Sequence, residues 1–329
     1  MNCELNNMKN AGIIHQKVKT YIKSIIKPNI KLLDLANSIE NKINELSNSN
    51  YSNMNAGIAF PTGLSINDCV AHWTPKYNCN QLLKYDDVIK IDYGVHINGS
   101  IIDSAFTHTF NSKYNTLLES SKTSTEIAIK LCRPDMLLGE IGKEIEENMS
   151  SYELELDNNI YNIKPVHSLC GHKINKYQIH ADKVIPNIYL KEYNKRISSD
   201  EFYAVETFAS SGSGDTYEDK NIISHYMINY NNNFKKCDIP NNSSHMYKHI
   251  IKYYNTLAFS DRWLIGKNLK KNKNVELLNQ NNTNKYLENL HKSNIINIYP
   301  PIYDTVSDCY TAQFEETIYI NEDKTIILS

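Results

Sequence analysis

The sequence predicts an α+β fold built on antiparallel strands, and three observations carry that reading. Two stretches with apolar residues at helical spacing open the chain. A tight hairpin signature follows, with Asn98-Gly99 between Val88-Ile89-Lys90-Ile91 and Ile101-Ile102. Strand-like and helix-like segments then run in the order αα-ββββ-αα-ββ, and strand pattern returns after an Asn/Lys-rich stretch.

The first helix is expected over 11–26, where Ile13, Ile14, Val18, Tyr21, Ile22 and Ile25 recur at near-helical spacing and Pro28 stops the run. The second covers 31–46, where Leu32, Leu33, Leu35, Ala36, Ile39, Ile43 and Leu46 recur at near-helical spacing. Short β segments are expected at 57–60, 66–71, 88–95 and 100–110, then helices at 114–131 and 138–149. A second β-rich stretch contains 163–167, a Gly171-His172 loop, 178–180 and 202–210. Between 230 and 298, Asn/Lys-rich loops (231–233, 268–274, 279–284) flank helical pieces at 246–259 and 285–292. This reads as a mostly helical subdomain inserted into a single catalytic domain spanning 1–329. Strands resume at 310–320 and 325–328.

A chain of 329 residues, 41% of them hydrophobic, can bury a sizeable core. The net charge of −2 provides no basic field for nucleic acid or an anionic membrane. No apolar run approaches the roughly 20 residues of a membrane span, and Met1-Asn2-Cys3-Glu4-Leu5 does not begin a secretory signal. Seven scattered cysteines (3, 69, 79, 132, 170, 237, 309) form no Cys-x-x-Cys pair. Free thiols, a cytoplasmic location and no membrane partner are therefore expected. The lysines at 267, 270, 271 and 273 read as a solvated loop. Ser211-Gly212-Ser213-Gly214-Asp215 has the composition of a phosphate loop, but no helix with a basic anchor follows, so a surface turn is expected.

The hairpin carries the first sign of chemistry. Asp92 and Asp103 are eleven residues apart, and a four-residue loop of His96 to Gly99 would set them directly opposite one another. Opposite residues share a face with Cβ atoms about 4.5–5.5 Å apart, where like charges repel unless a cation lies between them. Three further segments add donors. Gly171-His172 presents an imidazole, and Glu206 and Glu315 each lie within an otherwise apolar strand, where an unpaired carboxylate costs several kcal/mol. One imidazole and four carboxylates suit two hard-to-borderline divalent ions and poorly suit a thiolate site.

These motifs resemble those of the methionine aminopeptidases, the pita-bread metallopeptidases, and among them the type 2 branch. The likeness runs through Ala59-Phe60-Pro61-Thr62-Gly63, Ala71-His72-Trp73-Thr74-Pro75, Ile91-Asp92-Tyr93-Gly94, Ile101-Ile102-Asp103, Gly171-His172 and Ile179-His180. It continues through Glu206-Thr207-Phe208, Ser224-His225-Tyr226-Met227, Tyr299-Pro300-Pro301 and Thr311-Ala312-Gln313-Phe314-Glu315. The type 2 reading rests on the 109 residues between Glu206 and Glu315, on His225 and on the Tyr299-Pro300-Pro301 segment.

The resemblance implies a curved antiparallel sheet flanked by helices with pseudo-two-fold symmetry. It implies two divalent metal ions (Mn, Co, Fe or Zn) held by Asp92, Asp103, His172, Glu206 and Glu315, with Asp103 and Glu315 bridging. Glu206 would also accept the proton of the attacking water. His180 would hydrogen-bond the scissile carbonyl oxygen. His72 would contact the substrate beside it and be the histidine that fumagillin-type epoxides alkylate. Phe60, Ile179, Phe208, His225 and Tyr299 would line a pocket for methionine. The implied activity is removal of the initiator methionine from nascent polypeptides with a small uncharged second residue. The implied protein is a monomer acting on the N-terminal methionine of nascent polypeptides, with the ribosome as a candidate partner and no N-terminal tail to support that association.

The chain is expected to resemble the shorter archaeal-like form, without the long charged N-terminal extension of eukaryotic type 2 members. It also has Ser168-Leu169-Cys170 before Gly171-His172, where Asn-Leu-Asn is usual. A Cys170/His172 thiol dyad would require those side chains to face each other. Prolidases and aminopeptidases P carry a larger domain before the first aspartate than the 91 residues here. The reading from another class is an inactive pita-bread protein that binds RNA or ribosomes, and such proteins lose the ligands that this chain retains.

Overall fold

The computed structural model describes residues 2–49, 54–230, 235, 238–271 and 274–329. The loop expected at 231–233, together with Cys237 and Lys273, lies outside the described residues.

The chain opens with helices α1 (Asn2–Ile25) and α2 (Leu32–Leu46). Helix α1 begins well before the stretch of recurring apolar residues, because Met8 and Ala11 are also buried on its inner face. Strands β1 (Ala56–Ile58), β2 (Gly63–Ile66), β3 (Cys69–Ala71), β4 (Val88–Ile97) and β5 (Ser100–Thr109) follow. Next come α3 (Asn115–Leu131), α4 (Leu138–Met149), the hairpin β6 (Glu153–Leu156) and β7 (Asn159–Asn162), and β8 (Lys164–Pro165), β9 (Cys170–Ile174), β10 (Val184–Pro186) and β11 (Glu201–Ser210). The expected strand at 178–180 is instead a turn closed by a single bridge between Asn175 and Gln178.

After β12 (Thr216–Glu218) and β13 (His225–Ile228), the stretch from 230 to 298 holds α5 (Ser244–Tyr253), β14 (Phe259–Ser260), β15 (Asn268–Lys271), β16 (Asn274–Leu277), α6 (Gln280–Lys292) and part of β17 (Ile296–Tyr299). The Lys-rich segment is therefore a β-hairpin, whose alternation was hidden by its polar composition. Strand β13 lies between β14 and β17, and apolar residues from 226 to 296 gather in a core cluster of their own. Strands β18 (Ile302–Asp304), β19 (Thr311–Ile320) and β20 (Thr325–Ile327) end the fold.

Two long antiparallel pairs form the frame. Strands β4 and β5 pair along their whole length, with β1 and β2 on the far edge of β4. Strands β11 and β19 pair in the same way, with β9 beside β11. Each pair follows two helices: α1 and α2 share the first apolar cluster with β4 and β5, and α3 and α4 share the second with β11 and β19. This repeated arrangement is the pseudo-two-fold architecture of the pita-bread fold.

The halves meet where β5 runs beside β19, and there side-chain hydroxyls replace a backbone ladder. The Asp103 N–H donates to Thr317 Oγ1 at 2.8 Å, and that hydroxyl donates to the Asp103 carbonyl at 2.6 Å. Ser104 donates to the Glu315 carbonyl at 2.6 Å, and Thr107 to the Gln313 carbonyl at 2.8 Å. The seam thus satisfies backbone groups at the depth of the future site.

Two local expectations are revised, and a third is sharpened. Asn98 (φ 50°) and Gly99 (φ 80°) form a two-residue turn with both central residues left-handed, so Ile97 pairs with Ser100. Asp92 consequently faces Ala105 and Asp103 faces Gly94: the aspartates are diagonal neighbours on one face, not directly opposite. Gly171 lies within strand β9 rather than in a loop. A Cβ there would sit 2.6 Å from the Ala204 carbonyl oxygen, so glycine lets β9 press against β11 and carries His172 to the site. The Ser211–Asp215 turn wraps a carboxylate of the protein itself. Asp304 accepts from the Ser210 hydroxyl at 2.6 Å and from the Ser213, Gly214 and Val306 N–H groups at 3.1, 3.0 and 2.8 Å.

Gly171→Ala is expected to weaken divalent-metal binding about tenfold or more by displacing His172 from the cluster, a loss typical of disturbed ligand support. Titration with Mn²⁺ followed by calorimetry measures it, and unchanged affinity would refute the close-approach role.

Candidate metal centre and substrate pocket

The four carboxylates come from the two long pairs. Glu206 and Glu315 are direct cross-strand partners on β11 and β19, while Asp92 and Asp103 are diagonal on β4 and β5. The seam between β5 and β19 brings Asp103 next to Glu315, and β9 supplies His172. Ligand atoms of Asp103, His172 and Glu315 all lie within 4.8 Å of one another. His172 Nε2 is 3.4 Å from Asp103 Oδ2 and 3.8 Å from Glu206 Oε1.

Desolvation dominates the electrostatics. Burial pushes Asp103 up to about 7. Burial first, and the charge of Asp103 second, hold Asp92, Glu206 and Glu315 well above the usual carboxylate range. His172 is lowered to about 4 by burial, so the ring is neutral and a lone pair is available. Its Nδ1 and Asp92 Oδ1 are buried with no hydrogen-bond partner. None of the residues lining the cavity is a lysine or arginine. Orphaned oxygen and nitrogen donors, clustered and uncompensated, fit a site for divalent cations.

A cavity of about 260 Å³ opens over this cluster, and its walls include all twelve residues singled out from the sequence: Asp92, Asp103, His172, Glu206, Glu315, His72, His180, Phe60, Ile179, Phe208, His225 and Tyr299. His72 adopts a left-handed backbone (φ 63°), which is uncommon outside glycine and marks strain at the wall. Its ring lies edge-on to Tyr299 at 5.9 Å and tilted toward His225 at 6.2 Å. His180 stands edge-on to His172 at 4.3 Å between centroids. As a residue it is exposed, at the rim, but protein atoms crowd its ring and, with His172, lower its pKa. His225 Nε2 is 3.3 Å from the Pro61 carbonyl oxygen, which fixes that ring against the segment after β1.

Residues 6–232 match the model for metallopeptidase family M24. The chain belongs to metallopeptidase family M24. Among curated M24 relatives, "Methionine aminopeptidase 2A" of Arabidopsis thaliana is 39% identical over 324 residues, covering 98% of this chain and 70% of that protein. "Methionine aminopeptidase 2" of Komagataella phaffii is 36% identical over 338 residues, covering 100% of this chain and 70% of that protein. Among solved structures, a thermophilic Arx1 matches with a TM-score of 0.82 at 17% identity, covering 100% of this chain and 91% of that one. A methionine aminopeptidase of Thermotoga maritima matches with a TM-score of 0.65 at 17% identity, covering 100% of this chain and 97% of that one. At such identities the structural matches show the shared fold.

The M24 frame also holds residues that the sequence alone did not single out for a role. Gln313 is buried, and its amide donates to Glu206 Oε2 at 3.1 Å and to Glu315 Oε2 at 3.5 Å, tying the two glutamates together. Its position two residues before Glu315 on the same strand face was the available signal. Ser104, Thr107 and Thr317 form the seam, and nothing in their local sequence distinguishes them from ordinary strand hydroxyls. Cys170 also lines the cavity, on the same face of β9 as His172. Burial and Glu206 hold its thiol up at about 12, and no described hydrogen bond joins it to His172, which opposes a thiol dyad. Among the described residues every cysteine is free, and no helix is long and apolar enough to cross a membrane.

The carboxylates make metal stabilisation pH-dependent. With a folded-state value near 7 against an ordinary 3.8, Asp103 in the metal-free protein retains a proton that the unfolded chain has released. Stability of the metal-free form from this group therefore falls as pH rises from 3.8 to 7. His172 has the opposite sign between about 4 and 6.5, but it is neutral in both metal-free and metal-bound forms there, so it cancels from the difference. The rise in Tm caused by Mn²⁺ is expected to be small at pH 5 and several degrees larger at pH 8. Scanning calorimetry at both pH values tests this, and an equal or larger rise at pH 5 would contradict it.

Proposed function

We propose that this chain is a methionyl aminopeptidase of the type 2 branch that removes the initiator methionine from polypeptides with a small uncharged second residue. The observation that carries the reading is one cavity with an uncompensated His/carboxylate cluster on one side and a largely apolar wall on the other. The curated M24 relatives named methionine aminopeptidase 2 support it over nearly the whole chain.

Asp92, Asp103, His172, Glu206 and Glu315 would hold two divalent ions drawn from Mn, Co, Fe or Zn. Bound there, the ions supply Lewis-acid polarisation of the scissile carbonyl and activation of a water at neutral pH. Glu206 accepts the proton of that water. Neutral His180 donates a hydrogen bond to the developing oxyanion, and His72 holds the substrate beside it. Phe60, Ile179, Phe208, His225 and Tyr299 surround an unbranched, polarizable side chain. We further propose a single catalytic domain carrying 230–298 as an inserted subdomain, acting as a cytoplasmic monomer on chains emerging from the ribosome.

Purified protein with Mn²⁺ or Co²⁺ is expected to release methionine from Met-Gly and Met-Ala peptides, but not from Leu-initiated or N-acetylated ones. Chelation should stop the reaction. Asp103→Ala or Glu315→Ala should reduce kcat/KM by at least about a thousandfold, since each removes a carboxylate from the centre of the cluster; full activity in either overturns the ligand assignment. A fumagillin-type epoxide should alkylate His72, and peptide mass spectrometry that places the adduct elsewhere counts against the type 2 reading.

A further inference from the structure

A second cavity, about 540 Å³, lies between α2, β1 and the stretch from 253 to 267. Its size falls within the range of small-molecule sites, about 300–1,000 Å³. Among the described residues Ala258 alone lines both cavities, and none of the five candidate metal ligands reaches the second. The two also differ in charge. The first gathers four carboxylates without a lysine or arginine, whereas the second sets Arg262 and Lys267 against one acid, Glu40.

Glu40 is fully engaged by the protein. Its Oε1 accepts from the Thr62 N–H at 3.2 Å and pairs with Arg262 Nη2. Its Oε2 accepts from Arg262 Nη1 at 2.7 Å and from Trp263 Nε1 at 2.8 Å. A cationic guest therefore meets no carboxylate with acceptor sites to spare. This pairing occupies the Nη side of the guanidinium and leaves Nε–H, a donor on a buried cation, without a hydrogen-bond partner. His96 supplies a second such group. Its Nδ1 is also unpartnered, and Gly57, its cross-strand partner on β1, has no side chain to cover it. Burial lowers the His96 pKa to about 4, so the ring is neutral and can donate from one nitrogen. Arg262 and His96 are both more than nine-tenths buried, and both line this cavity. Buried groups left without a partner are rare enough to need a reason. Much of the remaining wall is apolar or aromatic: the Tyr254 and Trp263 rings lie 5.8 Å apart, beside Leu33, Met54 and Leu257.

We propose that the second cavity is a binding site, separate from the metal centre, for a flat aromatic carboxylate. The carboxylate accepts from the Arg262 Nε–H and meets His96 Nδ1, while the ring packs among Tyr254, Trp263 and the apolar wall. Charge decides the class of ligand: an anion complements the surplus of cations, and charge-assisted hydrogen bonds from a guanidinium are strong. The walls decide its shape, since stacked and edge-on ring contacts favour a flat partner. Such a guest touches α2, β1 and the 253–267 stretch at once, where Glu40 and Arg262 already join segments 222 positions apart. Binding only to the folded chain, it stabilises that chain by mass action.

The test titrates 2-naphthoate into the full chain loaded with Mn²⁺, followed by calorimetry, and repeats the Tm measurement at saturation. One site with a Kd of about 1 mM or tighter is expected, the scale for a ligand of this size. The same ring bearing an ammonium, 2-naphthylmethylamine, should bind at least about tenfold more weakly, since it cannot accept from Arg262. Leu33→Trp fills the cavity from a partly exposed position on α2 and should abolish both the heat and the rise in Tm. Arg262→Lys keeps a cation opposite Glu40 but removes the Nε–H, and should weaken binding about tenfold. No binding to wild type, or undiminished binding to Leu33→Trp, overturns the site. Equal affinity for the carboxylate and the ammonium, or wild-type affinity in a folded Arg262→Lys protein, overturns the ligand class. If Arg262→Lys does not fold, Leu33→Trp and the ammonium decide. A carboxylate could also bind the metals: a signal lost in Asp103→Ala but kept in Leu33→Trp places the probe there and overturns the proposal.

Discussion

Four carboxylates gathered around one imidazole, two of them buried and two half-buried, with no lysine or arginine in the surrounding wall, set the terms for the rest of this structure. Each ionised carboxylate removed from water without a partner costs several kcal/mol, and their mutual repulsion adds to it. In the absence of a cation the cluster meets that cost by retaining protons, as the raised position of Asp103 and its neighbours indicates. The same burial keeps His172 neutral. One physical cause thus prepares opposite kinds of donor for the same partner, since a divalent cation needs ionised oxygens and an unprotonated ring nitrogen.

Such a cluster can be assembled only if the backbone is rigid on both sides of it. The paired strands β4–β5 and β11–β19 each supply two acids, and the two pairs are not joined by an ordinary ladder. Thr317, Ser104 and Thr107 supply the missing bonds, and two of them act at the acids themselves, on the Asp103 and Glu315 backbone. Gln313 then joins the two glutamates within the cavity wall. Repulsion that would otherwise spread the strands is resisted by neutral hydrogen bonds, which leave the cluster's own charge uncompensated.

The layout of helices and long strands was legible in the sequence because their apolar residues recur with clear periods: α4 and the 88–97 and 100–109 strands follow directly from Leu138, Ile141 and Ile145 and from the Ile/Val runs. The site residues were legible because acids and histidines interrupt those runs in motifs of the family. Register was not. Asn98-Gly99 could close a two- or four-residue loop, and only the pairing of Ile97 with Ser100 decides that Asp103 faces Gly94. Gly171 was misread for a related reason: glycine signals both a turn and a close approach, and the Ala204 carbonyl that forbids a side chain there comes from a strand 33 positions away. The β15–β16 hairpin was missed because asparagines and lysines mask alternation, and the hydroxyl seam because its partners lie more than 200 positions apart.

The correction to the register changes how β4 works. With Asp92 and Asp103 directly opposite, their side chains would occupy one level of the sheet and leave nothing over the next. The diagonal arrangement staggers them, and the position facing Asp103 is Gly94, which has no side chain. That gap admits the Phe60 ring from the β1 edge, so an apolar wall stands within one residue step of the charged cluster. Asp92 and Gly94 then follow one another on a single face as acid and gap. Charge and shape recognition are separated by the two-residue period of a strand, and a one-residue slip of the hairpin would abolish both together.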